Sequence, residues 1–306
     1  MQQKIHFANT NSPNINLAAF INFPENFDKN QQYSAIVITH PGGGVKEQTA
    51  GLYAEKLAKA GFITIATDAS YQGESTGEPR QLENPYIRTE DISAVIDYLS
   101  TLPYVDQANI GAMGICAGGG YTVNAAINDK RIKAVATVSA VNIGAMLRYG
   151  WLGDQDVKNV LPFLTLGAQT RTAEANGATS VTFPLAPCNK TDTPYVDLQE
   201  AWEYYHTARA AFPTAPGFGT TRSLTQLVTY DAFNFADIFL TQPLLVIAGS
   251  QAQSLWMSQD LMQRAASTDK KLYLVEGANH MKLYDIPEYV DQATAQLLSF
   301  FQQHLV

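Results

Sequence analysis

The sequence predicts an α/β fold in which a mostly parallel sheet is flanked by helices and interrupted by an inserted, mostly helical cap. Short apolar runs typical of buried strands alternate with segments whose apolar residues recur at helical spacing. Glycine-containing loops follow several of these runs, and the alternation breaks once, over a long aromatic-rich stretch. With 306 residues, 46% of them hydrophobic and 16% charged, the chain can bury a substantial core.

Strands and helices alternate through the first part of the chain. Continuous apolar runs predict the strands, and apolar residues three or four apart predict the helices. The predicted strands are Lys4–Ala8, Asn16–Asn22, Ser34–Thr39, Phe62–Thr67, Asn109–Gly114 and Ile132–Ala140. The predicted helices lie over Lys46–Ala60, which Gly61 ends, around Ile92–Leu99, and over Gly119–Asn128.

The strand rhythm stops between residues 143 and 240, where Trp, Tyr, Phe and Pro are frequent. A helical stretch over Leu198–Ala211 stands out within this part. The later elements are a strand over Pro243–Gly249, a helix over Leu255–Ala266, a strand over Lys271–Glu276 and a closing helix through Phe301. We therefore predict a core formed by residues 1–142 and 241–306, with residues 143–240 inserted as a cap.

The cap is expected over the carboxyl ends of the strands, because ligands of open α/β sheets bind there. We expect residues 150–166 or 202–235 to form the walls of a pocket for a medium-sized, largely apolar group.

Charge and composition exclude several classes of partner. Lys+Arg 20 against Asp+Glu 28 gives a formal net charge of −8, which argues against nucleic acid. No apolar run approaches the roughly 20 residues of a membrane helix, and the N-terminus lacks a signal-peptide pattern, so we expect a cytoplasmic protein without membrane contact. Two cysteines and scattered histidines predict neither a disulfide scaffold nor a metal site. No cofactor is expected, and the oligomeric state stays open.

The segment Gly114-Ile115-Cys116-Ala117-Gly118 joins a predicted strand to a predicted helix. A small-x-nucleophile-x-small pattern in this position is typical of a nucleophile elbow, in which the central side chain is exposed on a strained turn. We therefore predict Cys116 as a nucleophile whose pKa is lowered by the helix N-terminus. A phosphate-binding loop and a buried packing cysteine are the alternatives, but no complete dinucleotide or P-loop motif is present.

His280 is the best candidate for the general base. Only His206, His280 and His304 follow the elbow, and His280 lies in a loop directly after the last predicted strand.

The oxyanion hole is expected to use the backbone amide of Ala117 and that of Gly42 or Gly43. His40 precedes these glycines and is interpreted as tying down their loop. Cys188 is interpreted as a thiol with no role.

These motifs resemble the α/β-hydrolase superfamily. The resemblance rests on the elbow, the His280 loop, the His40-Pro41-Gly42-Gly43 segment and the Asp68–Ser75 segment. A cysteine at the elbow followed by glycines is similar to dienelactone hydrolases, and the large cap is similar to bacterial proteins grouped with acyl-ester hydrolases and polyketide transferases. The resemblance implies an ester, thioester or lactone substrate and an acyl-enzyme on Cys116, with His280 as base.

One feature departs from the superfamily pattern. The carboxylate that usually orients the histidine is missing from the loop Gly249–Ser254, which carries amides instead. Asn142 and Gln253 are the candidate orienters, since an amide can hold a histidine. The aspartates Asp231, Asp260 and Asp285 remain open as alternatives. The missing acid leaves two further interpretations, a non-catalytic protein that binds a small ligand and an enzyme of reduced activity. An acyltransferase that uses the same site also stays open.

Overall fold

An eight-stranded sheet forms the centre of the protein in the computed structural model, which describes all 306 residues. The ten strands of the chain are β1 Gln2–Ala8, β2 Asn16–Asn22, β3 Tyr33–Thr39, β4 Ile63–Thr67, β5 Val105–Ile115, β6 Ile132–Val138, β7 Thr182–Pro184, β8 Phe218–Thr220, β9 Leu244–Gly249 and β10 Lys270–Val275. The main sheet has the order β1-β2-β4-β3-β5-β6-β9-β10. Only β1 with β2 and β2 with β4 pair antiparallel, and all other neighbours are parallel. The predicted mostly parallel sheet is confirmed.

Eleven helices accompany the strands. They are α1 Thr49–Ala58, α2 Pro85–Ser100, α3 Ala117–Asn128, α4 Ile143–Tyr149, α5 Leu161–Ala175, α6 Val196–His206, α7 Leu224–Leu227, α8 Ala236–Phe239, α9 Leu255–Arg264, α10 Lys282–Asp285 and α11 Pro287–Leu305. Helices α2, α3 and α9 contribute to one hydrophobic cluster, and α1 and α11 contribute to another. The central strands are buried on both faces, as their continuous apolar runs predict.

The chain between β6 and β9 is mostly helical and also contains the two-stranded antiparallel sheet of β7 and β8, which the sequence analysis does not predict. Strands of three residues are too short to show an alternating pattern. We propose that residues 143–240 form a cap on a core made of residues 1–142 and 241–306.

None of the eleven helices combines the length and the apolar character that crossing a bilayer requires.

Candidate active site

Cys116 lies on the turn between β5 and α3, with a positive φ of 55° that side-chain-bearing residues rarely adopt. The neighbouring glycines allow the turn. A Cβ on Gly114 would lie 2.1 Å from the carbonyl oxygen of Gly118, and a Cβ on Gly118 would lie 2.3 Å from that of Thr39. The small residues on either side of Cys116 are therefore required by backbone contacts, and the strained turn directs the thiol away from the sheet.

Backbone amides surround the half-buried thiol of Cys116. The N–H groups of Gly42 and Ala117 and the hydroxyl of Tyr284 lie near it and act to lower its pKa. These contacts favour a thiolate, but burial has the larger effect and raises the pKa of the Cys116 thiol. The sequence-based prediction of a lowered pKa is wrong, because loss of hydration outweighs the helix N-terminus. The resting sulfur is a thiol.

The loop after β3 brings Gly42, rather than Gly43, to the sulfur. Gly43 has a φ of 71° and lies against Leu185. His40 anchors this loop, because its Nδ1 lies 2.7 Å from the carbonyl of Pro41 and its Nε2 accepts the amide hydrogen of Ala69 at 3.1 Å. This is the structural role that the sequence suggested for His40.

A buried cluster of charges holds the same loop to the segment after β4. The ammonium of Lys46 is fully buried and binds the carboxylates of Glu47, Asp68 and Glu74 at 2.6, 2.8 and 2.7 Å. Asp68 also accepts the backbone amides of Lys46 and Glu74 at 2.8 Å. The Asp68–Ser75 segment therefore anchors the loop after β3, and none of its residues lines the cavity at the thiol.

His280 is buried in the loop between β10 and α10. Its Nδ1 lies 2.7 Å from Oγ of Ser254, and its Nε2 lies 3.2 Å from the hydroxyl of Tyr284. The indole of Trp151 packs edge-on against the imidazole, with ring centroids 5.0 Å apart. Burial without a charged partner lowers the pKa of His280 to about 3. The imidazole is therefore neutral at physiological pH.

Ser254, rather than either candidate orienter, is the side chain beside Nδ1 of His280. Asn142 and Gln253, the two candidate orienters, have other partners. The side chain of Asn142 caps α4 and donates to Asp231 at 2.7 Å, while Oε1 of Gln253 accepts the amide of Asp197 at 3.3 Å. The expectation that Asn142 or Gln253 orients His280 is therefore wrong, because capping and loop contacts occupy both amide side chains.

Asp197, at the start of α6, is a carboxylate that contacts the backbone of His280, and no sequence pattern points to it. It accepts the backbone amide of His280 at 3.2 Å, that of Gln253 at 2.8 Å and the indole N–H of Trp151 at 3.3 Å. The carbonyl of His280 accepts from Ser139 at 3.0 Å, so both backbone polar groups of His280 are fixed. Asp197 thus holds the loop of the base and does not touch its ring.

The three aspartates left open by the sequence bind arginines instead. Arg264 pairs with Asp231 at 2.8 Å and with Asp260 at 3.4 Å, and Arg209 pairs with Asp285 at 2.6 Å. None of them is a hydrogen-bond partner of the His280 ring.

A cavity of about 460 Å³ opens above the thiol, and fifteen of its 21 lining residues are hydrophobic. The core contributes Gly42, Cys116 and His280. Trp151 and Tyr205 come from the two ranges expected to form walls, and a further wall is formed by residues 184–188 and 192–201. Cys188, the second free cysteine, lies exposed in that further wall.

Comparison with known proteins gives concordant results. Residues 17–140 match the model of the dienelactone hydrolase family. The protein YcjY of Escherichia coli K12 is 60% identical over 305 residues, covering 100% of both chains. The crystal structure of PA2218 from Pseudomonas aeruginosa superposes with a TM-score of 0.91 at 33% identity, covering 100% of this chain and 94% of that one. A thiohydrolase of Eupenicillium brefeldianum is 23% identical over 87% of this chain and 85% of its own length.

Proposed function

This chain belongs to the α/β-hydrolase superfamily, in its dienelactone-hydrolase-like branch, and on that basis we propose that it hydrolyses an acyl ester, thioester or lactone through an acyl-enzyme on Cys116. The observation that carries the proposal is the position of the thiol. Cys116 stands on a strained elbow, between the amides of Gly42 and Ala117, at the floor of an apolar cavity. The cavity supports a largely apolar acyl group of medium size.

The reaction has two halves. The Cys116 sulfur attacks the carbonyl carbon, and the S–H proton passes to His280. The resulting oxyanion accepts hydrogen bonds from the backbone amides of Gly42 and Ala117. When the intermediate collapses, His280 returns the proton to the departing alcohol or thiol. Water then attacks the acyl-enzyme with His280 as base, and the carboxylic acid leaves as the thiol re-forms.

The environment of the base favours substrates with good leaving groups. Ser254 orients His280 without charge, and burial opposes the formation of an imidazolium. A thiol leaving group has a pKa of about 8.5, far below that of an alcohol, so it needs little protonation as it departs. Thioesters are therefore the proposed preferred class, a preference that the similarity to a thiohydrolase supports.

A non-catalytic ligand-binding role receives less support. That interpretation depended on the absence of any group orienting His280, and the Ser254 hydroxyl lies 2.7 Å from Nδ1. An acyltransferase differs from the proposed hydrolase only in the acceptor, and product analysis with added alcohols or amines distinguishes them.

The test compares the two free cysteines. We expect Cys116→Ala to lose hydrolysis of p-nitrophenyl esters and short acyl thioesters by at least about 10³-fold, as removal of a nucleophile does. Cys188→Ala is the matched control, because it removes a thiol from the same cavity and is expected to retain turnover. Full hydrolytic turnover by Cys116→Ala would overturn the proposed function.

A further inference from the structure

The side chain of Tyr284 lies beside both His280, the proposed base, and Cys116, the proposed nucleophile. The hydrogen-bond partners of the His280 ring are Ser254 and Tyr284, and not Cys116. The Tyr284 hydroxyl lies 3.2 Å from Nε2 of His280, and it also lies near the Cys116 thiol, whose pKa it acts to lower. All of these residues except Ser254 line the same cavity.

We propose that Tyr284 is a catalytic residue that relays the thiol proton of Cys116 to His280. This inference rests on the proposed function and extends it, because it assigns the step by which the nucleophile is activated. The sequence analysis gives Tyr284 no role.

The relay balances without any other reactant. The S–H bond of Cys116 breaks and a new O–H bond forms on Tyr284, while the original O–H bond of Tyr284 breaks and an N–H bond forms at Nε2 of His280. The tyrosine ends as it began, and the transfer leaves a thiolate and an imidazolium. Nδ1 of His280 keeps its proton throughout and donates it to Oγ of Ser254.

The fold places the phenol for this task. Tyr284 follows His280 by four residues, on the short helix α10, and its ring packs edge-on against Tyr204 with centroids 5.1 Å apart. Burial raises the pKa of Tyr284 well above its ordinary value, so a free phenolate is not an intermediate. The two proton movements are therefore concerted.

Other ionisable groups face this relay. Asp197 on α6 accepts a hydrogen bond from the backbone amide of His280, and Tyr205, also on α6, lines the same cavity as Tyr284. The charge of Arg88 on α2 lowers the pKa of the Cys116 thiol, although burial outweighs it. None of these groups is a hydrogen-bond partner of the His280 ring.

The pH profile of Cys116 alkylation separates a relay from a packing role. We use Cys188→Ala as the background, so that iodoacetamide meets one thiol, and compare it with added Tyr284→Phe. If the relay operates, neutral His280 assists attack by the Cys116 thiol throughout the neutral pH range. The rate constant for alkylation is then expected to change less than about threefold between pH 5.5 and 8. Without the hydroxyl, alkylation depends on the free thiolate and rises about tenfold per pH unit.

Tyr53→Phe is the matched control, because it removes a buried phenol hydroxyl that donates to the carbonyl of Leu283 on α10 at 2.8 Å and does not line the cavity, and it is expected to keep the flat profile. Acylation by a thioester, measured as kcat/KM, is expected to fall about 10²-fold or more in Tyr284→Phe. A flat alkylation profile in folded Tyr284→Phe contradicts the relay and leaves the proposed function intact. Full turnover by Cys116→Ala contradicts the function itself.

A measurement on the wild-type protein avoids any dependence on folding of the variant. Two protons move together in the relay, so acylation rates in mixtures of H₂O and D₂O are expected to curve downward with increasing deuterium content. A straight line indicates one proton in flight and overturns the proposal.

Discussion

His280, the proposed base, is held by the hydroxyl of Ser254, and a hydroxyl orients a histidine without stabilising its charged form. We expect Ser254→Ala to lower kcat/KM for thioesters about tenfold, because the imidazole loses the 2.7 Å partner that fixes its tautomer. Steady-state kinetics check this. Ser258→Ala, one turn along α9 and equally buried, is the control and should behave as wild type. Unchanged kinetics in Ser254→Ala would show that Ser254 does not orient the base.

The buried imidazole also makes stability depend on pH. The pKa of His280 is about 3 when folded and about 6.5 when unfolded, so below pH 6.5 the unfolded chain binds the extra proton. The free energy of unfolding is therefore expected to fall by about 2 kcal/mol from this group between pH 6.5 and 5. His40, whose pKa is also lowered by burial, adds a loss of the same sign.

Urea unfolding of wild type, His280→Gln and His6→Gln at pH 7 and pH 5 measures this contribution. His6 is exposed, so its variant should lose as much stability on acidification as wild type. The His280→Gln variant should lose less. Equal losses in all three proteins would place the His280 pKa near its ordinary value.

Local sequence patterns point to Cys116 and His280 as the proposed nucleophile and base, but not to their partners. The elbow around Cys116 is a local pattern of five residues, although the contact that requires Gly118 is with Thr39 on β3, and His280 follows a recognisable strand. Ser254, Asp197 and Tyr284 make their contacts through folding of separate segments. The one sequence signal for Ser254 as the residue that orients His280 was its place at the end of the loop Gly249–Ser254, from which the usual carboxylate is missing.

At the scale of elements, Asp197 connects helix α6 to the loops after β9 and β10. Its carboxylate accepts from Gln253, His280 and Trp151, all in a buried environment. We expect Asp197→Ala to lower the free energy of unfolding by about 3 kcal/mol or more, because each buried donor left without a partner costs about 1–3 kcal/mol. Urea unfolding measures the change. Asp154→Ala, an exposed change in the same inserted segment, should cost less than about 0.5 kcal/mol.

If Asp197→Ala lowered the free energy of unfolding no more than Asp154→Ala does, water would have replaced the carboxylate as the partner of these donors. Activity should also fall in Asp197→Ala, because the loop that carries His280 loses its anchor.

Sequence patterns predict the buried elements better than the half-exposed ones. Strands such as β2 and β9 are continuous apolar runs, so their positions follow directly from the sequence. Helix α2 begins at Pro85, before the apolar face that the sequence predicts over Ile92–Leu99, and the side chain of Asn84 caps its first turn.

At the scale of the whole molecule, the cavity between the sheet edge and residues 143–240 is expected to set acyl-chain length. Ala201 lines the cavity from α6 and is buried. We expect Ala201→Phe to reduce kcat/KM for an eight-carbon acyl thioester at least about tenfold more than for an acetyl thioester, because the ring fills space that the longer chain needs. Ala211→Phe, exposed beyond the end of α6, is the control.

A chain-length profile that is identical in Ala201→Phe and wild type would place the acyl group outside this cavity. The cap itself is only partly readable from the sequence, because its small helices and its short β7–β8 pair are fixed by packing between segments rather than by local periodicity.

The central claim is that Cys116 carries the acyl group during turnover, and rapid-quench intact-mass spectrometry tests it most directly. Wild-type protein mixed with excess octanoyl thioester is expected to gain the mass of one octanoyl group within the first turnover, mapped by peptide analysis to Cys116 and absent from Cys116→Ala. Cys188→Ala should form the same adduct. Hydrolysis without any adduct on wild-type protein, together with an adduct-free but active Cys116→Ala, would contradict the account.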